Sequence, residues 1–367
     1  MKPNRQHSFY YQAGFSLIEI MVGLAIGMLV SLVIMQVFSV FEGQKRTTTG
    51  TADAQTNGSV ALYSIQRDLQ MAGYGLLPAG LSGVADSPIE CIPPLTIDAA
   101  TGIGDISPVT ITDGGVAGGS DSITIRYSTS DAGGIPSPIT GVVGNDVNLS
   151  NNLACQTNDI ALIMNGSACA LTSVTGLSAA NVTPATLTLS NPAGAVTGAR
   201  IACLGTWREI TYSVDSGNLM MNLTPGGASQ AVISDIVNIQ AQYGIGGSAA
   251  ANPNRIVAWV NATGAWAPGT ITITNRNRIK AIRIAVVARN GLLEKEDVTS
   301  ACSSLTNNAP TGLCSWSATS AQPITASPAP AISLNDDPDG TSWKRYRYRV
   351  FETIVPLRNV VWAKSTL

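Results

Sequence analysis

The chain has 367 residues, of which 45% are hydrophobic and only 12% charged, and its formal net charge is -2. So small a charge gives no electrostatic drive toward nucleic acid or anionic lipid. The single histidine, His7, precedes a long apolar segment, which excludes His-based acid–base catalysis, His-activated nucleophiles and His-ligated metals from the rest of the chain.

Residues 1–14, MKPNRQHSFYYQAG, carry Lys2 and Arg5 and no acid. The positive-inside rule leaves this end in the cytoplasm and exports everything beyond Phe41. The twenty-two residues 20–41 have no charge, and as a helix they reach ~33 Å, enough to span a bilayer. A secretory signal would be shorter and end at a small-residue cleavage site. Here the run ends in Gln36, Phe38 and Phe41, so it is expected to be retained. Gly23 and Gly27 are spaced for close helix contact, although Gly is common in membrane helices generally. One acid, Glu19, interrupts the stretch 15–41. A carboxylate at that depth costs on the order of 3 kcal/mol, so Glu19 is expected to meet a cation.

The helix is predicted to continue, because Leu62, Ile65, Leu69 and Ala72 recur at helical spacing with Gln66, Arg67, Asp68 and Gln70 between them. Gly73, Gly75 and Pro78 end it. An unbroken helix over 15–72 would be ~87 Å long. Gly43, Gly50 and Gly58, with Thr47, Thr48 and Thr49, are weak helix formers, and bending or local melting is expected over 43–58.

Beyond Pro78 the pattern changes to short alternating apolar runs punctuated by Gly, Pro, Ser, Thr and Asn. Strands are predicted at 122–127, 159–164, 185–189 and 207–214, then after a turn at 215–218 over 219–223. Later candidates are 231–243, 255–260, 270–274, 278–289 and 345–355. Stretches 79–120, 128–158 and 303–342 are expected to be loops or insertions. The fold class is therefore α+β: a long N-terminal helix packed on a large antiparallel β-rich head, with one sheet on the helix and further strands extending it.

All six cysteines follow the apolar run, and an even number in an oxidising compartment reads as disulfides, with fifteen pairings available. Proximity favours Cys302 with Cys314 and Cys155 with Cys169, leaving Cys91 with Cys203. No C-x-x-C pair is present.

The run 335–340 (NDDPDG) opens like an EF-hand loop, but its twelfth position is Tyr346 rather than Glu, and a solvated turn is expected. Basic and aromatic residues alternate over 344–349 (KRYRYR). A strand with one buried aromatic face and one solvated Arg face accounts for this better than stacking on a nucleic-acid strand. No G-x-x-x-x-G-K-[ST] string occurs, so any energy for assembly comes from another protein.

The string Gly14-Phe15-Ser16-Leu17-Ile18-Glu19, joined to the basic leader and the apolar run, resembles the class III signal of type IV prepilins. The resemblance implies that prepilin peptidase cuts between Gly14 and Phe15 and N-methylates Phe15. It also implies that Glu19 docks against the terminal amine of an adjacent subunit. Removing Lys2 and Arg5 from 21 basic residues leaves 19 against 23 acidic ones, a formal charge of -4.

Residues 64–75 (SIQRDLQMAGYG), 237–244 (VNIQAQYG) and 348–359 (YRVFETIVPLRN) resemble the PilW family of minor type IV pilins, which is related to the J-type minor pseudopilins of type II secretion. This implies a type IV pilin-like fold: a cleaved leader 1–14, a transmembrane and polymerisation helix 15–41, its periplasmic half 42–74, and a β-rich, disulfide-bonded head 75–367. The implied role is to prime pilus assembly and form the tip complex, in motility or adhesion, with no catalytic residue, metal or cofactor. Implied partners are other minor pilins, the major pilin, prepilin peptidase, the inner-membrane assembly platform and a tip adhesin, without nucleic acid. The implied location is the bacterial inner membrane, single-pass with the head periplasmic, and then the pilus tip at the cell surface. A minor pseudopilin of type II secretion is the main alternative. A membrane-anchored periplasmic adhesin or enzyme is a further one, which leaves Gly14 and Glu19 unexplained.

Overall fold

The computed structural model describes residues 14–76 and, apart from short internal stretches and the segments 303–311, 317–331 and 335–341, residues 96–362. Cys91 and the run 335–340 lie outside the described residues. The chain forms two compact units, Met1–Thr51 and Ala52–Leu367.

Helix α1 spans Leu17–Met71 and is helical at every position, Gly43, Gly50 and Gly58 included, so the local melting expected over 43–58 does not occur. The threonines there find partners within the helix: the Thr47, Thr48 and Thr51 hydroxyls donate to the carbonyls of Gly43, Gln44 and Thr47 at 3.1, 2.9 and 2.8 Å. These local bonds satisfy the hydroxyls without opening the main-chain ladder. In the first unit the apolar side chains stand exposed, with Phe15, Phe38 and Phe41 at 84, 70 and 65%. This part of α1 is long and apolar enough to cross a membrane.

In the second unit α1 is followed by β1 (Thr96–Ile97), β2 (Val109–Thr112), β3 (Ser122–Ser128), β4 (Ser137–Val143), β5 (Asp146–Leu149) and β6 (Ile160–Asn165). Then come β7 (Ala168–Leu177), β8 (Ala185–Leu189), β9 (Arg200–Gly205), β10 (Trp207–Asp215), β11 (Asn218–Asn222) and β12 (Gln230–Ser234). The chain ends with β13 (Ile236–Gly246), β14 (Ile256–Val260), the short α2 (Ile273–Arg276), β15 (Ile279–Arg289), β16 (Tyr348–Pro356) and α3 (Arg358–Trp362).

These strands build three sheets rather than one extended sheet: β12-β11-β10-β3-β2, β14-β13-β15-β16, and a seven-stranded sheet. The first two share a core with α1. Ala54, Ala61, Ile65 and Leu69 pack with Ile123, Ile125 and Tyr212 of one sheet and with Ile239, Ile282 and Ile284 of the other. Fully burying a side chain such as Ile65 or Leu69 contributes about 1.5–3 kcal/mol. Two tyrosine hydroxyls pin the layers. Tyr212 donates to Asp68 at 2.7 Å, and Arg67 holds the same carboxylate at 3.0 Å. Burial, reinforced by Asp68, pushes the Tyr212 hydroxyl pKa up. The Tyr243 hydroxyl accepts from the Ile111 amide at 2.6 Å, joining the two sheets, and burial raises its pKa to about 12.

On its other face the four-stranded sheet holds Arg283 between the rings of Trp259 and Trp316, 4.8 and 4.1 Å from the two centroids. Arg283 also donates to Gln242 at 2.6 Å, and burial pulls its pKa down to about 10.

Six strands of the seven-stranded sheet form an insertion. Ser128 at the end of β3 pairs with Trp207 at the start of β10, so residues 129–206 leave and return through one antiparallel pair. Within it the order β7-β6-β9-β4-β5-β8 closes because β8 pairs back onto β7, giving a six-stranded barrel to which β1 adds in parallel. Closure removes open edges. The interior is filled by Ile139, Leu149, Ile163, Val174, Leu187 and Ile201.

The barrel corrects the proximity pairing of cysteines. Cys155 is joined to Cys203 rather than to Cys169, and Cys203 is therefore not available to Cys91. Cys155 and Cys203 belong to the barrel interior, whereas Cys169, on β7, points into the separate cluster formed with Leu76, Ile106 and Leu204. Sequence neighbours thus lie on opposite faces of one wall. Cys169 is itself disulfide-bonded, and Cys302 is joined to Cys314.

Other expectations differ locally. The segments read as loops contain β2, β4 and β5. The predicted strand 231–243 breaks into β12 and β13 at Asp235, whose φ is 60°. The predicted strand 270–274 gives way to α2, because the Thr272 side chain accepts from the Asn275 amide at 3.2 Å and starts a helical turn.

Asp121 is 4% exposed and accepts from the Gly114 and Ala241 amides at 2.8 and 2.7 Å. Burial nonetheless lifts its pKa from 3.8 to about 7. A folded-state value above the unfolded one favours the folded, protonated form. The stabilisation is complete below pH 3.8 and is lost as the pH rises through about 7, a difference of about 4 kcal/mol. Asp159 and Glu352, also raised by burial, act in the same direction. The head of the detergent-solubilised protein should melt several degrees higher at pH 5 than at pH 8. Asp121→Asn should flatten that slope, as measured by circular dichroism.

Candidate processing and assembly segment

The helix start is built by two residues that bond each other. The Ser16 amide donates to Glu19 Oε2 at 2.9 Å, and the Glu19 amide donates to Ser16 Oγ at 3.2 Å. The Ser16 carbonyl accepts the first intrahelical bond, from Ile20, at 3.2 Å. This reciprocal capping box fixes the first turn at Leu17 and leaves Gly14 and Phe15 outside the helix and exposed. The peptide bond between them is thus held open beside a rigid start. Glu19 in the first turn also complements the helix dipole. One amide occupies only one of roughly four acceptor positions of a carboxylate, which leaves room for a cation.

Ser16 has a role that the charge-based reading of Glu19 does not assign. Its signal is the S-x-x-E spacing, 16 to 19, ahead of an apolar run. Further along, no atom lies within 4 Å of where a Cβ would stand at Gly23 or Gly27, and the Ser31 hydroxyl is turned back onto the Gly27 carbonyl at 2.8 Å. That face is smooth enough for close helix contact.

In the head, Tyr346 and Tyr348 are half-buried while Arg347 and Arg349 are exposed, the alternation of a strand with one covered face. Among the described residues, no group of three or more His, Cys, Asp or Glu side chains could hold a metal ion.

Residues 10–35 match the prokaryotic N-terminal methylation motif, and residues 215–359 match the family of type IV pilus-assembly protein W, PilW. Over these stretches the chain is similar to type IV pilin-like proteins, and to the PilW family in particular. The PilW match runs from the end of β10 into α3 and includes the four-stranded sheet. The barrel insertion, 129–206, lies outside both matched stretches. A solved type IV-like pilin from Thermus thermophilus is 13% identical, with a TM-score of 0.23, over 56% of this chain and 86% of that one. No curated protein matches the chain.

Proposed function

We propose that this chain is a minor pilin of the PilW family that primes type IV pilus assembly and joins the tip complex with other minor pilins, the major pilin and a tip adhesin. The observation that carries the reading is the helix start, where an exposed, non-helical Gly14–Phe15 bond directly precedes the Ser16–Glu19 box on an apolar helix. Prepilin peptidase would cut that bond on the cytoplasmic side and methylate the new amine. An α-amino group has an ordinary pKa near 7.7–8 and is largely a cation at neutral pH. Ser16 and Glu19 both survive the cut, so the cap persists while Glu19 accepts the Phe15 amine of a neighbour.

The apolar helix holds the subunit in the inner membrane with the head periplasmic, until the assembly platform draws it into the fibre and helix contacts replace lipid contacts. Two sheets and an inserted barrel make a head too large for dense repetition along a shaft, which favours a tip position and a structural rather than catalytic role. Replacing Gly14 with valine should leave a membrane-bound precursor fourteen residues longer, whereas the native protein should begin at N-methyl-Phe15 by mass spectrometry. Normal processing of the valine variant would reject the peptidase assignment. Copurification with secretion pseudopilins instead of pilus subunits would reassign the fibre.

A further inference from the structure

Each sheet edge in the head is managed differently. β1 has two residues and β2 four. β12 and β14 have five each, and their ladders shift register. β16 is the exception. It has nine residues, pairs with β15 in unbroken register from Arg289↔Tyr348 to Ala281↔Pro356, and ends its sheet.

The bonds just beyond its two ends fix which way its backbone faces. The Asn290 amide donates to the Arg347 carbonyl at 2.8 Å, and the Leu357 amide donates to the Lys280 carbonyl at 2.9 Å. Odd-numbered residues therefore turn their main-chain groups toward β15, and Val350, Glu352 and Ile354 turn theirs outward. Pro356 falls at the next outward position, where its missing N–H breaks no ladder bond. Among the described residues no strand pairs with this edge.

We propose that the open edge of β16 is a strand-addition site for an extended segment of another fibre subunit, carrying an acidic side chain opposite Arg349 and an apolar one opposite Ile354. The partner's identity as a fibre subunit rests on the assembly reading above. Outward amides and carbonyls in a straight row match only another extended chain. Arg349 is exposed and makes no ion pair among the described residues, and Ile354 is 49% exposed. A second copy of this chain fits poorly. An antiparallel register that uses all three outward residues centres on Glu352, which would face its own counterpart.

Hydrogen exchange of the peptide 348–356 tests this, comparing detergent-solubilised protein with protein in sheared fibres. Three additional amides should slow by about tenfold or more in the fibre. Ile354→Pro, which removes an outward donor and leaves the β15 ladder intact, should reduce recovery in fibres without changing membrane level or melting temperature. Unchanged exchange in fibres that contain the chain would overturn strand addition while leaving the assembly reading standing. Absence of the wild-type chain from fibres would overturn both. Protection in the isolated protein that rises with its concentration would assign the edge to a second copy instead.

Discussion

Glu19→Ala is expected to leave the chain inserted and cut at Phe15, yet to lower its recovery in sheared fibres on the order of 30-fold, equivalent to about 2 kcal/mol. Membrane insertion improves, because a carboxylate costing about 3 kcal/mol at that depth is removed. Helix formation suffers only at its first turn, where the Ser16 amide loses its acceptor, and fifty-five residues of α1 buffer that loss. On the proposed assembly reading, what disappears is the counter-charge for a neighbour's Phe15 amine. Glu19→Gln separates the two effects, since it keeps an acceptor for Ser16 and removes the charge. Immunoblots of sheared fibres and membranes should show the Gln variant as deficient as the Ala variant. Equal recovery of all three proteins would end the docking argument.

Gly58→Ala should destabilise the head by about 1–2 kcal/mol, although helix propensity alone favours alanine by up to ~1 kcal/mol. A methyl group at 58 would run into the Phe351 ring and stand 3.0 Å from the Ala288 side chain. Ala288 is completely buried in β15 and cannot yield, while Phe351 on β16 is only half-buried and must rotate outward. Gly58→Leu should cost ~3 kcal/mol or more, beyond what rotating one ring can relieve. Adding Phe351→Ala to Gly58→Ala should cost less than the sum of the two single changes, because the ring then leaves room for the methyl group. Thermal unfolding of the detergent-solubilised protein reads all four variants, and a higher melting temperature for Gly58→Ala would contradict the packing account.

The parts of the fold legible in the sequence are those whose residues advertise their surroundings. The apolar run, Glu19 within it, and alternating strands such as β3 and β10 carry the period of their own burial, and the apolar run of β15 matches its burial on both faces. The barrel is hidden for the opposite reason. β7 (ACALTSVTGL) and β9 (RIACLG) are built of small residues that read as loop punctuation, and the barrel is joined up by the β4–β9 and β5–β8 pairings between strands distant in sequence. Cysteine pairing followed wall faces, which spacing alone does not encode. At the candidate site, Gly14, Phe15 and Glu19 stand out by type and position, whereas Ser16 shows only through its spacing to Glu19. β16 reads as a strand from its residues, but that it ends a sheet depends on everything placed before it.

The barrel's two ends, Ser128 and Trp207, are cross-strand neighbours in a single hairpin. The barrel therefore leaves and returns at one point of that hairpin, while its outer wall packs on Leu76 and Ile106. The arrangement works as a cassette mount: foreign epitopes grafted into the barrel's outer loops would leave the strands that clasp the helix unchanged.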